Sequence, residues 1–402
     1  MITSFIVLLI VFIIWIFVIF YYKEQKNIYG LNALLIIIIF VGPAIYYISG
    51  GTSYKAFSND AIIKYHYLSS IVLTINIFFL ILKYRIKIDK ITKKLYPNAF
   101  NNITLLTKIY FTFLFLAGAI YIIMYFNKFP LIVFFKKSII IERPDCTGDI
   151  PHFYTMSTIM MMIFPSVFFY IYNKSKNNIL KISIFAIIIL FMTIAGHKGI
   201  VVFFFIFIWF YIFKRKINIK LVSLFAISMI IYGIAKGRVD VTSDNLLYIL
   251  KSSFSRMFVT QGAGLIERIH LITINYNFLD YVPIKNQVCT LVYHVKLNVC
   301  SMPTYFIGDI MVNYGYFIAL IFYIILGFPF FIILKIVDVF YSQSVFLKWN
   351  IFMVCFLFSM AEISVYSLFR LLAIILNIII VYYASQFLVI KRNNRIIFKH
   401  IK

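Results

Sequence analysis

Six residues in one polar stretch, residues 236 to 302, have types that can do chemistry: Arg238, Arg256, Glu267, Arg268, His270 and His294. Arginine presents a planar fork of N–H donors that matches phosphate and carboxylate oxygens two at a time. Histidine takes up a proton near neutral pH, and either it or a carboxylate can serve as the base for a hydroxyl. Glu267 and His270 are three residues apart, so on a helix they stand one turn from each other. The carboxylate can then fix the imidazole tautomer while the other ring nitrogen faces a hydroxyl. Group transfer from an activated phosphate ester needs this pairing of cations for the leaving group and a base for the incoming hydroxyl. We take His270, Glu267 and Arg256 as candidate catalytic residues, and Arg238 and Arg268 as phosphate-binding candidates. A solvated helical cap held by ordinary ion pairs uses the same residue types.

Two further constellations lie outside that stretch. In AGHKG (residues 195 to 199), His197 and Lys198 precede an apolar run, so a helix amino terminus with free N–H groups and a lysine converge on a spot suited to an anion. A plain helical hairpin also turns on glycine and a basic residue. In GDIMVNYG, Asp309 and Asn313 stand one turn apart at the start of an apolar run, where ionisable groups carry a functional expectation. Gly308 and Gly315 beside them suit close helix packing, and Glu362 with Arg370 reads as a further pair. His294 and His197 are alternative bases, and with Asp309 and Asn313 they complete the substrate-binding candidates. The sequence contains no Walker motif, no His/Cys cluster at metal-ligand spacing, no nucleophile elbow and no dinucleotide fingerprint. We expect chemistry without a cofactor or metal.

The elements that position these residues are membrane helices. Of the 402 residues, 63% are hydrophobic and 13% charged, and the mean hydropathy is +0.98. A water-soluble domain of that make-up would expose large apolar patches. Crossing the hydrocarbon takes about 20 apolar residues, and about eleven runs approach that length. They lie near residues 2 to 22, 31 to 49, 67 to 82, 109 to 126, 153 to 173, 179 to 195, 199 to 213, 221 to 235, 306 to 334, 348 to 361 and 368 to 390. The last two are separated by the polar run 359 to 370. The expected class is all-α and polytopic, with residues 1–235 forming eight spans, 236–302 one large loop, and 303–402 three spans and a basic tail.

The first run carries no basic residue before it and Lys23 and Lys26 after it, which reads as an uncleaved anchor. Placing the amino terminus outside puts the greater share of the 38 Lys and Arg in cytoplasmic segments, the strongest being residues 83 to 108. The 236–302 loop then faces outward. Within it, residues 244 to 259 place Leu246, Leu247, Leu250, Phe254, Met257 and Phe258 on one face of an amphipathic helix suited to a membrane surface. QGAG (261 to 264) is expected to break that helix before LIERIHLI resumes it. The net charge of +25 is scattered at span ends. It fits anionic lipid headgroups rather than nucleic acid. Cys289 and Cys300 are the pair closest in sequence that an oxidising compartment would join, free thiols being the alternative.

Against this pattern, the chain resembles the Wzy-type O-antigen (oligosaccharide repeat-unit) polymerases. The resemblance covers the plan of ten or more spans with a large outward loop late in the chain. Two local patterns add to it: AGHKG before an apolar run, and PTYFIGDIMVNYGYFIALIFYIILG after the loop. The family more often has arginine where this chain has Lys198, and the arginine-ten-residues-glycine pattern of some members is not found in this loop. The resemblance implies a metal-independent glycosyltransferase of the bacterial inner membrane. Its substrate would be undecaprenyl-diphosphate-linked oligosaccharide repeat units, joined at the periplasmic face, and a chain-length regulator protein is an implied partner. An O-antigen ligase, a membrane acyltransferase or a lipid-linked oligosaccharide flippase shares the basic, polytopic character. A flippase, however, calls for short loops and a repeated half.

Overall fold

The computed structural model describes residues 1–49, 57–86, 100, 104–129, 132–133, 149–172, 174–194, 198–214, 219, 223, 260–294, 302, 304–360, 365–392 and 395–400. The helices are α1 Ile2–Tyr21, α2 Ile28–Ile48, α3 Asn59–Arg85, α4 Leu105–Met124, α5 Phe153–Tyr172 and α6 Asn178–Ile194. They continue with α7 Lys198–Phe207, α8 Thr260–Thr273, α9 Ile284–Tyr293, α10 Ile307–Phe340, α11 Val345–Met360 and α12 Val365–Gln386. A two-stranded antiparallel hairpin follows, Phe387–Arg392 with Arg395–His400, pairing Val389 with Phe398.

Seven helices among the described residues are long and apolar enough to cross a membrane, so the chain is a multi-pass membrane protein. The expected spans near 179, 199 and 348 are shorter apolar helices, at Asn178–Met192, Ile200–Ile212 and Val345–Ser359. The expected span at 221 to 235 lies outside the described residues, as does the turn at 361 to 364. On α1 the buried positions Ser4, Leu8, Trp15 and Ile19 recur on one stripe, while Ile6, Ile10, Ile13 and Phe17 face out. An apolar outer surface is stable only against a lipid solvent.

The chain forms two compact units rather than a linear series. The first comprises Met1–Leu95, Lys251–Val339 and Val354–Ser367; the second comprises Tyr96–Leu250, Phe340–Met353 and Leu368–Lys402. In the second unit the polar groups inside apolar helices satisfy one another. Asn377 Nδ2 donates to Ser166 Oγ (3.1 Å) and Asn350 Oδ1 (2.9 Å), and Tyr110 donates to Asn377 Oδ1 (3.0 Å). Such bonds hold helices together where no water is at hand.

In the first unit, one proline sets up the packing that matters. Pro43 has no N–H, so the carbonyl of Ile39, four residues earlier, has no helical donor. The helix widens to a π turn over Ile37–Val41, and Tyr65 of α3 donates its hydroxyl to the Ile39 carbonyl. Gly262 of α8 seats against the same place: a Cβ there would lie 2.1 Å from Pro43 Cγ and 2.7 Å from the Ile39 oxygen. The glycine serves close approach, so QGAG does not break the helix as expected; α8 runs through it from Thr260. Nor does α8 lie on a surface, since Gly262 to Ile269 are all buried. The preceding amphipathic stretch, 244 to 259, lies outside the described residues.

The far end of α3 holds a cluster of buried charges. Lys83 Nζ lies 2.7 Å from Glu24 Oε1 and 3.3 Å from Asp338 Oδ2, the three side chains being 3%, 0% and 8% exposed. Asn27 also donates to Glu24, and the amide of Ile28 to Asp338.

Candidate functional site

Helix α8 is locked from two sides. Arg268, fully buried, donates through Nε to Asp309 Oδ1 at 2.7 Å and through Nη1 to the carbonyls of Gly264 (2.9 Å) and Met302 (3.2 Å). Gly308 lets the start of α10 come close enough, because a Cβ there would meet Thr304 Cγ2 at 2.5 Å and Arg268 Cδ at 3.0 Å. Near its other end, Thr273 accepts from Lys64 of α3 at 3.0 Å, and Lys64 is itself paired with Asp60.

Beyond Thr273 the chain reverses through Asn275 in the left-handed region (φ 51), a conformation asparagine tolerates. The amide of Tyr276 donates back to the Leu271 carbonyl at 2.9 Å. Gln287 of α9 closes the following turn, accepting from the amide of Leu279 and donating to the carbonyls of Leu279 and Val282. Helix α9 ends at His294, also left-handed (φ 54). Cys289, in the middle of α9, is disulfide-bonded, its partner lying outside the described residues; Cys355 is a buried free thiol.

The two helices therefore enclose an open cleft of about 660 Å³ lined by Glu267, His270, Leu271, Ile274, Tyr276, Thr290, Leu291 and His294. Glu267 is fully buried at its wall, His270 is half-buried and His294 is exposed. Three groups that bind and release protons thus share one cavity with an aromatic ring and a hydroxyl. Such groups can hydrogen-bond to a hydroxyl in the cleft and accept its proton. Among the described residues, no lysine or arginine lines it.

The expected site residues divide as follows. Glu267, His270 and His294 come together in the cleft. Arg268, although next to Glu267 in sequence, does not line the cleft; its donors are engaged by Asp309 and by two backbone carbonyls. Asp309 is thereby the partner of a buried arginine, and Asn313 is exposed one turn further along α10. Gly315, expected to pack a neighbouring helix, has nothing within 4 Å and instead breaks α10 with φ 83. Lys198 begins α7, where the sequence places a helix amino terminus. His197, Arg238, Arg256 and Glu362 lie outside the described residues.

Sequence reasoning missed Ser58. It is the amino-terminal cap of α3, its Oγ accepting from the amide of Ala61 at 3.3 Å, and that same oxygen lies 3.4 Å from His270 Nδ1. SND before an apolar run is a capping signal, but nothing in it points to a residue 212 positions away. Tyr276 and Thr290 were missed for the same reason.

No family model matches the chain, and neither a curated protein nor a solved structure does.

Proposed function

We propose that this protein is an O-antigen polymerase, which joins undecaprenyl-diphosphate-linked oligosaccharide repeat units at the periplasmic face of the bacterial inner membrane. The observation that carries the reading is the convergence of Glu267, His270 and His294 on one open cleft in a chain that is otherwise nearly all apolar. The excess of basic residues in the alternate loops supports an outward-facing cleft. The disulfide at Cys289 fits an oxidising compartment.

In the reaction, an acceptor hydroxyl oxygen forms a bond to the anomeric carbon of the donor, whose bond to the diphosphate oxygen breaks. The diphosphate leaves with the bonding electrons, and a base takes the hydroxyl proton. His270 or Glu267 supplies that base in the cleft. Arg256, four residues before α8 in the sequence, is the cation assigned to the departing diphosphate, for which a planar fork is suited. The donor is already activated, so no nucleotide is needed on that side of the membrane.

The test is the lipopolysaccharide of a deletion strain carrying the gene or its variants on a plasmid. Loss of the polymerase leaves core bearing single repeat units, and the plasmid restores the ladder. Bare core in the deletion strain would point to a ligase or a flippase, and an unaltered ladder would overturn the reading.

A further inference from the structure

The cleft's base has a partner the proposed reaction does not yet use. Ser58 Oγ lies 3.4 Å from His270 Nδ1 and receives the Ala61 amide at 3.3 Å. Its position is set by the backbone: Ser58 has the extended φ −64, ψ 146 of a cap, and the helix behind it is tied to α8 through Lys64 and Thr273. The oxygen is thus held by α3 before any substrate arrives, and catalytic hydrogen bonds in unliganded sites are commonly long.

A neutral imidazole carries one N–H, and its location decides whether His270 works as a base. A serine hydroxyl donating to Nδ1 would put the ring proton on Nε2 and remove the lone pair from the only nitrogen left for the cleft. A serine oxygen accepting from both the Ala61 amide and Nδ1–H has both lone pairs used and leaves Nε2 bare. We propose that Ser58 is a positioning residue for this site: its Oγ accepts the Nδ1 proton of His270, so that Nε2 is the atom that takes the acceptor hydroxyl's proton. Nδ1–H stays on Ser58 throughout, and the imidazolium formed at Nε2 is stabilised by that bond. Among the described residues, the other charged or titratable groups near the ring are Glu267 one turn earlier, His294 and Tyr276 in the same cleft, and the Asp60–Lys64 pair on α3. Among these Ser58 is the group in contact with Nδ1. The catalytic half of this inference rests on the polymerase reading; the tautomer does not.

The experiment uses full-length protein in lipid nanodiscs with ¹⁵N-labelled histidine, the His270 signals being picked out of the six histidines by difference against His270→Gln. Ser58→Gly is the informative variant, because glycine nearly matches serine as a helix cap while it removes the side chain that carries the oxygen. We expect the Nδ1–H tautomer in the parent protein, mixed tautomers in Ser58→Gly, and recovery in Ser58→Thr. With lipid-linked repeat units extracted from the deletion strain, Ser58→Gly should lower kcat on the order of 100-fold at unchanged KM, and Ser58→Thr should restore it. An Nε2–H tautomer in the parent, or a Ser58→Gly spectrum identical to it, overturns the inference. Failure of the parent protein to extend those units overturns the polymerase reading instead, while the tautomer still decides the role of Ser58.

Discussion

Arg268 and Asp309, 41 residues apart, are joined Nε to Oδ1 across 2.7 Å, the arginine wholly buried and the carboxylate 19% exposed. This pair fastens the helix that carries Glu267 and His270 to the start of α10. The arginine beside the cleft therefore acts by holding the wall rather than by reaching the substrate.

Breaking a buried pair by removing one member leaves the other charge stranded, which typically costs about 3–5 kcal/mol. Arg268→Met should accordingly lower the unfolding temperature of the detergent-solubilised protein sharply, and Arg268→Met with Asp309→Leu should recover part of the loss. Arg268→Lys should fall between, since one ammonium cannot serve Asp309 and the Met302 carbonyl together. Full stability in Arg268→Met would mean that the pair holds nothing.

The Glu24–Lys83–Asp338 cluster at the opposite end of α3 makes a separate case. Lys83→Met leaves two carboxylates with no cation between them, and a loss of about 3–5 kcal/mol is expected. The measurement is the folded fraction after graded heating, by size-exclusion of the full-length protein. An unchanged profile would show that the cluster is solvated in the membrane.

Three glycines should each resist an added methyl. Gly262→Ala forces a methyl against Pro43 and the Ile39 carbonyl, and Gly308→Ala against Thr304 and Arg268; overpacking of this kind costs about 1–3 kcal/mol. Gly315→Ala meets open space, but its φ of 83 and ψ of 170 belong to a region that glycine alone adopts readily, a penalty of about 1–3 kcal/mol. An unchanged thermal midpoint in Gly262→Ala would contradict the seating of α8.

His270→Ala should reduce the product to single repeat units while membrane insertion continues, because losing a positioned base slows a reaction about 100- to 10,000-fold. Glu267→Gln, nearly the same in shape, separates the two candidates. If His270→Ala makes full-length polymer at the normal rate and Glu267→Gln does not, the glutamate is the base.

A reporter active only in the periplasm, fused after Tyr276, should be active, and one fused after Lys90 should be silent. The reverse pattern would turn the cleft toward the cytoplasm and remove the proposed substrate from its reach.

The membrane class, the long apolar helices and the placing of Glu267 one turn before His270 on α8 are legible in the sequence because they depend on local quantities. Hydropathy over about 20 residues decides a crossing, and a spacing of three decides which side chains share a helix face. The amino terminus of α7 at Lys198 is read in the same way. QGAG continues a helix against expectation because glycine has two uses, breaking a helix and admitting a neighbour, and only the neighbour, here Pro43 with the Ile39 carbonyl, says which applies. Arg268 is likewise identical in sequence whether it faces a diphosphate or Asp309; burial decided it, since a buried guanidinium must spend its donors on the groups around it. Ser58 reaches His270, and His294 comes to line one cleft with Glu267, through the docking of α3 and α9 on α8. Those contacts join residues far apart in the chain, and no local periodicity encodes them; they follow from packing the helices together.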